Sequence, residues 1–215
     1  MIGIDLGTTR LKVSAFARNG TLQYQLTKRH VDCAAGNLSW QDANDWWRDT
    51  VELVGGVVNH LNHPQITGLS VCGRGGAAVF ADRRGDVLAH PWSDSRHRDE
   101  LKSLYAWRAG HDLSNYGAGL IAKYLWLRKN ENPLARRITH GFFAKDWLLF
   151  RLTGEHVTDW TSGPDGHAWD PAVVRDHHLP ETLLPEPRLP WILAGNLLPD
   201  AAKAMGLTAG LPVAV

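Results

Sequence analysis

Residues 1–12 read Met1-Ile-Gly-Ile-Asp5-Leu-Gly7-Thr8-Thr9-Arg10-Leu-Lys12, and this stretch decides how the rest of the chain is read. Ile2 and Ile4 alternate with smaller or polar residues, the pattern of a buried strand with Asp5 at its end. The turn that follows pairs Gly7 with two hydroxyls. A glycine lets backbone come close to an anion, because no Cβ obstructs the approach. Exposed N–H groups in such a turn form an anion-binding concavity, to which Thr8 and Thr9 add donors. Asp5 suits Mg²⁺ held through water, since this ion dehydrates reluctantly and takes few carboxylates directly. Arg10 and Lys12 place positive charge beside the turn. Together these residues suit a phosphate chain with its magnesium ion. An ordinary β-hairpin carrying Asp and Thr accounts for this motif about as well, because short glycine patterns recur by chance.

Leu11 to Phe16 reads as a second strand. Asn19-Gly20 is a hairpin-turn signal in which both residues tolerate positive φ, and Thr21 to Leu26 reads as a third strand. The succession differs from a Walker loop, in which a glycine loop runs into a helix. It resembles the opening of the actin, hexokinase and Hsp70 superfamily of ATP-binding folds.

The composition is compatible with that reading. The 215 residues suffice for one large or two small domains, with 44% hydrophobic and 21% charged side chains. A net charge of +1 gives no case for a nucleic-acid surface or an anionic-membrane surface. No apolar run reaches membrane-spanning length, and the N-terminus lacks a signal-peptide pattern. Two distant cysteines, Cys33 and Cys72, imply free thiols in a reduced, cytoplasmic protein. The eleven histidines, His177-His178 and His60/His63 among them, show no metal-ligand spacing. Most of the ten tryptophans read as packing residues, with Trp92 as the candidate to stack on a sugar ring.

Further along, Asp42 reads as the N-cap of a long helix whose apolar stripe is Trp47, Val51, Val54, Val58 and Leu61. Gly55-Gly56 within it marks close packing on a neighbour. Ile66–Val71 reads as a buried strand, and Ala77–Ala81 with Val87–Ala89 as a hairpin around Arg83-Arg84-Gly85-Asp86. Helices are expected at Leu101–Ala109, Leu120–Lys129 and Ala144–Leu152, the last closed by Gly154. Ile138–Phe143 reads as a strand. Prolines and glycines dominate from Asp159 until a short helix at Asp200–Met205, and Leu211–Val215 is a final apolar strand.

Six islands, in order, resemble the N-terminal domain of the FGGY carbohydrate kinases, the family of xylulokinase and glycerol kinase. They are GIDLGTTRLK at 3–12, SWQDANDWW at 39–47, GLSVCGRGG at 68–76, PWSDSR at 91–96, FAKDWLLFRLTGEHVTDW at 143–160 and GLTAGLPVAV at 206–215. The resemblance implies an α/β, ribonuclease H-like or actin-like ATPase domain, its mixed sheet opening with antiparallel strands 1-2-3 between flanking helices. It implies phosphoryl transfer from ATP, with Mg²⁺, to a sugar or polyol hydroxyl, pentulose-type acceptors being favoured. Asp5 matches the metal-positioning aspartate. Gly7, Thr8, Thr9, Arg10 and Lys12 fall at the phosphate-approaching positions. Arg74, Gly75 and Gly76 occupy the place of sugar-reading residues, and Gly76 brings no side chain where relatives usually place a polar contact. Trp92, Asp94 and Arg96 match a Trp-x-Asp-x-Arg segment bordering the acceptor pocket. Lys123 precedes Trp126 at a family spacing, and Lys145-Asp146 match a Lys-Asp pair. For Arg96 and Lys145, a structural ion pair is an equal reading, as is a helix N-terminal role for Asp146.

In the family, the catalytic aspartate lies in a glycine-rich loop just after the strand that Leu211 begins. Residues 1–215 are therefore expected to form an N-terminal domain that is incomplete at its C-terminus, stops short of that aspartate, and lacks the C-terminal ATP-binding domain. Such a chain turns over poorly alone, and partners with a C-terminal kinase half or with itself through an apolar face left uncovered. Two alternatives stand beside this: a non-catalytic sugar- or nucleotide-binding module derived from such a kinase, and an unrelated phosphate-handling ATPase of the same superfamily.

Overall fold

A computed structural model of the chain describes residues 1–62, 64–111, 113–159 and 169–214. His63 of the histidine pair, Trp160 of the fifth island and Val215 of the last strand lie outside the described residues. The chain opens with β1 (Ile2–Leu6), β2 (Arg10–Phe16) and β3 (Leu22–Arg29), followed by a small hairpin of β4 (Asp32–Ala35) and β5 (Leu38–Gln41). Next come α1 (Ala43–His60), β6 (Leu69–Gly73), β7 (Ala78–Ala81), β8 (Val87–Ala89), α2 (Arg98–Trp107), α3 (Asn115–Asn130) and α4 (Asn132–Ala135). The rest are β9 (His140–Phe143), α5 (Ala144–Thr153), β10 (Val157–Asp159), α6 (Ala172–Asp176), β11 (Glu186–Arg188), β12 (Leu193–Asn196), α7 (Pro199–Met205) and β13 (Pro212–Ala214).

The main sheet has strand order β12-β13-β6-β1-β2-β3. β1–β2 and β2–β3 are antiparallel, while β6 runs parallel to β1 and β13 parallel to β6. Register explains how the sheet divides its faces, since successive side chains point to opposite sides. Ile2, Ile4 and Leu6 stand opposite Ala15, Val13 and Leu11, with Leu69 and Val71 alongside on β6. All of these are buried, each large side chain contributing roughly 1.5–3 kcal/mol. They form one core with α1, α5 and α7. On the other face, Gly3, Asp5, Lys12, Ser14, Ser70 and Cys72 fall in the same rows. The sheet's second face is polar in these rows. Exposed apolar side chains include Trp191, Ile192 and Leu193, beside the edge strand β12.

A second core lies between α3 and a three-stranded sheet of order β8-β7-β9. It includes Phe80, Leu120, Ile121, Tyr124 and Phe143.

Three local readings are corrected. In the first hairpin only Gly20 takes positive φ (83°). Gly20 N–H donates to the Ala17 carbonyl (3.0 Å), and Asn19 Oδ1 accepts from Thr21 N–H (3.0 Å). The turn is thus a longer loop closed by one left-handed glycine. In α1 the buried face runs through Trp46, Thr50, Leu53 and Val57 as well as Val54 and Val58, while Trp47, Val51 and Leu61 lie at its margin. The Pro- and Gly-rich region contains β11, β12 and α6. As expected, Asp42 caps α1 (2.8 Å to Asn44 N–H), and a Cβ on Gly56 would stand 2.8 Å from Leu26.

His156 supports a stability prediction. Its Nε2 donates to the Gly141 carbonyl at 3.0 Å, and its ring packs on Phe142 and His140. Burial lowers its pKa from 6.5 to about 4, against the pull of the Gly141 carbonyl. The unfolded chain then binds more protons between these values, so this stability is complete above pH 6.5 and lost as pH falls toward 4. Urea midpoints are expected to drop across that window, and less steeply in His156→Gln. Parallel slopes in the two proteins would contradict the assignment.

Candidate active site at the end of the sheet

The Gly7–Thr9 loop is a tight link between β1 and β2. Gly7 N–H donates to the Arg10 carbonyl at 3.1 Å, and a Cβ on Gly7 would stand 3.0 Å from that same oxygen. The loop's carbonyls are fastened from outside. His30 Nε2 donates to Gly7 (3.1 Å), His30 N–H to Thr9 (3.1 Å), and Gln41 Nε2 and Arg74 Nη1 to Thr8 (3.3 Å each). Thr8, Thr9 and Arg10 are exposed at its tip.

Asp5 lies across the register from Lys12 on one side and Cys72 on the other. Lys12 Nζ is 3.6 Å from the carboxylate, and the two side chains are 40% and 45% exposed. Partial desolvation and the neighbouring Asp5 carboxylate hold the Cys72 thiol above its ordinary pKa. Asp5 is thus open to solvent beside the loop, on the polar face.

Lys145, at the start of α5, sits behind this row. Its Nζ is 2.6 Å from both Asp146 and Asp159, and all three residues are buried. Burial opposes the lysine's charge, but the two carboxylates outweigh it and hold the pKa above the ordinary value.

A cleft of about 640 Å³ joins the loop to the second core. Thr8 and Thr9 line it together with Trp40 and Gln41, the Arg74–Gly76 turn, Trp92, His97 and Lys123. Arg74 spans the junction: Nη2 donates to Gln41 Oε1 (3.0 Å), and its guanidinium lies 5.2 Å from the Trp46 ring. Lys123 is 4% exposed and donates to the carbonyls of Trp92 (2.8 Å) and Gly76 (3.4 Å). Burial brings its pKa down to about 8, with Arg74 adding to the effect. Lys123 therefore braces two segments that border the cleft.

Asp94 and Arg96 close on each other at 2.7 and 2.5 Å, and Asp94 also accepts from Ser39 N–H at 3.2 Å. Arg96 hydrogen bonds are the main reason that Asp94 stays well below the usual carboxylate range. The guanidinium lies 4.9 Å from the Trp92 ring and 5.4 Å from Trp126. This pair backs the cleft wall. Trp92, 5% exposed, donates through Nε1 to His97 Nδ1 at 3.3 Å. The site residues read from sequence thus divide between the Asp5–Lys12 row, the loop, the cleft lining and, for Asp94, the layer behind the cleft wall. Sequence reasoning did not single out Asp32, Trp40, Gln41 and His97 as cleft residues. The polar Gln41 between Trp40 and the Asp42 cap was the available signal.

The mixed sheet opening with an antiparallel hairpin is that of an actin-like ATPase domain, and solved sugar kinases share it. Ligand-bound xylulose kinase from Lactobacillus acidophilus superposes with a TM-score of 0.85 at 17% identity, over 99% of this chain and 46% of that one. Xylulose kinase from Rhodospirillum rubrum gives 0.84 at 23% identity, over 99% and 47%. The profile of the FGGY family of carbohydrate kinases, N-terminal domain, matches residues 1–215. The chain belongs to that family. It is 30% identical to xylulose kinase of Escherichia coli over 99% of its own length and 46% of the relative's. To L-fuculokinase of the same organism it is 25% identical, over 98% and 48%. The chain spans about half the length of the curated relatives it matches.

Proposed function

We propose that residues 1–215 are the acceptor-binding N-terminal half of an ATP-dependent carbohydrate kinase acting on a hydroxyl of a sugar or polyol, with pentulose-type acceptors favoured. The observation that carries this reading is that the loop tip, Thr8 and Thr9, lines the same cleft as Trp92 and Lys123. Donor and acceptor groups would meet in one cavity, and phosphoryl transfer depends mainly on such placement and on charge neutralisation. The residues present fit a magnesium–nucleotide: Asp5 is open to solvent with Lys12 beside it, and Thr8, Thr9 and Arg10 are exposed on the loop that follows its strand. Bound MgATP would supply the transferable phosphoryl group. Asp5 would hold the metal through water, and the loop with Arg10 and Lys12 would orient the phosphates. On the acceptor side, Arg74, Gly75, Gly76 and Trp92 border the sugar, with Asp94 fixing the wall.

The proton of the attacking hydroxyl needs a general base within hydrogen-bond reach. Family resemblance puts that aspartate just beyond the last strand. β13 runs parallel to β6, and β6 to β1, so its C-terminal end heads toward the same end of the sheet as Asp5. The pentulose preference is supported by the relatives named xylulose kinase. No helix among the described residues is long and apolar enough to cross a membrane, which suits the proposed cytoplasmic location.

Mixing this chain with the C-terminal half of a xylulose kinase tests the proposal. Ketopentose-dependent ADP release is expected from the mixture and not from residues 1–215 alone. Phosphorylation by the isolated chain would contradict the division of labour, and a silent mixture would favour a non-catalytic binding module.

A further inference from the structure

Gln41 ends β5 and lines the cleft, where its amide stands among the candidate ligand contacts. It is 7% exposed, and its hydrogen-bonding positions are taken. Oε1 accepts from Trp46 Nε1 at 3.2 Å and from Arg74 Nη2 at 3.0 Å. Indole and guanidinium groups only donate, which fixes the orientation of the amide. Nε2 is thereby directed at two acceptors, Asp32 Oδ1 at 2.7 Å and the Thr8 carbonyl at 3.3 Å. With two donors and two lone pairs engaged, the amide has none left for a ligand.

The consequence falls on the Gly7–Thr9 loop. No peptide bond among the described residues is cis, and in a trans peptide the carbonyl and the following N–H point in opposite directions. With the Thr8 carbonyl drawn to Gln41 and to Arg74 Nη1 (3.3 Å each), the Thr9 N–H points away from both. His30 acts likewise on the preceding peptide: its Nε2 holds the Gly7 carbonyl at 3.1 Å and so turns the Thr8 N–H outward. The Thr9 carbonyl accepts from His30 N–H at 3.1 Å. All three loop carbonyls are thus occupied, while the N–H groups of Thr8 and Thr9 donate to nothing among the described residues.

Free N–H groups whose carbonyls are held back present a donor face to an anion. We infer that Gln41 is a positioning residue of the donor site: it bonds no ligand, and it aims the Thr9 amide at the nucleotide's phosphates by holding the Thr8 carbonyl away from them. The inference rests on the kinase-half reading and assigns this cleft glutamine to the nucleotide rather than to the sugar. Arg74 completes the same anchor by bonding both Gln41 and Thr8. The turn that carries Gly75 and Gly76 is thereby tied to the loop.

Calorimetric titration of the whole 215-residue chain with MgADP at pH 7 and pH 5 tests it. Gln41→Met, similar in length and uncharged, is expected to weaken MgADP about fivefold, by the same factor at both pH values. Gln41→Glu keeps the acceptors for Trp46 and Arg74 but sets a carboxylate against Asp32 and the Thr8 carbonyl. That surrounding raises the new group's pKa. Its deficit is therefore expected to reach about tenfold at pH 7 and to shrink at pH 5, where the carboxyl takes a proton and donates again. Each deficit is taken against the wild-type chain at the same pH, so that His30, whose pKa is lowered by burial, cancels. In ¹⁵N-labelled Gln41→Met, MgADP should still move the Thr8 amide, which His30 aims, and move the Thr9 amide less than in the wild type. Unchanged MgADP affinity in Gln41→Met, or a Gln41→Glu deficit equal at both pH values, would remove Gln41 from the donor site and leave the kinase-half reading standing. Failure of the wild-type chain to bind MgADP would overturn the loop as a phosphate site and this inference with it.

Discussion

Lys145→Met is expected to lower the unfolding free energy by about 3–5 kcal/mol, a large share of the roughly 5–15 kcal/mol that a domain has. The lysine is 2.6 Å from two carboxylates, Asp146 and Asp159, which are 0% and 5% exposed. Methionine keeps most of the packing volume but leaves two like charges buried side by side. One must take a proton, or the region must open to water. The sign of the pH dependence follows. In the variant the carboxylates bind protons more tightly folded than unfolded, so the deficit shrinks as pH falls. Urea denaturation at pH 7 and pH 5 measures both. A loss below about 1 kcal/mol, the scale of an exposed pair, would show that water reaches the cluster. The consequences extend to the site. Lys145 Cβ lies 3.2 Å from where a Gly73 Cβ would stand, and Gly73 leads directly into Arg74.

Asp5→Asn should separate function from stability in the opposite way. The Asp5–Lys12 pair is 3.6 Å long and about half exposed, so its loss costs no more than about 1 kcal/mol. If Asp5 positions the metal, affinity for ADP in the presence of Mg²⁺ should fall about tenfold or more, while metal-free ADP binding stays near the wild-type value. An unchanged magnesium dependence, measured by calorimetry with and without the ion, would remove Asp5 from the metal side.

How much of this could be read from sequence follows the range of the interactions. The opening strands were legible because their alternation is local: Ile2, Ile4 and Leu6 meet Ala15, Val13 and Leu11 across one short loop. The Gly154 cap of α5 (φ 78°) was legible for the same reason. The buried face of α1 was not. Thr50 and Asp49 are buried there because Thr50 Oγ1 bonds the Trp46 carbonyl (2.7 Å) and Lys28 reaches Asp49 from β3 (2.7 Å). Such partners turn polar residues inward against the periodic pattern. β12 was missed because Leu193–Asn196 lacks alternation and becomes a strand through pairing with β13. In the site, the loop residues announced themselves by type and spacing. The fastening of Thr8 by Gln41 and Arg74, and the seating of Tyr116 on Gly75, join residues 33 or more positions apart. No local pattern encodes either contact.

The backbone amides of Thr8 and Thr9 report most directly on whether the first turn holds a nucleotide's phosphates. In a ¹⁵N-labelled chain titrated with MgADP, both signals should move saturably, and the movement should be lost in Asp5→Asn. If MgADP binds while these two amides stay still and others shift, the nucleotide lies elsewhere and the account of the opening loop is wrong.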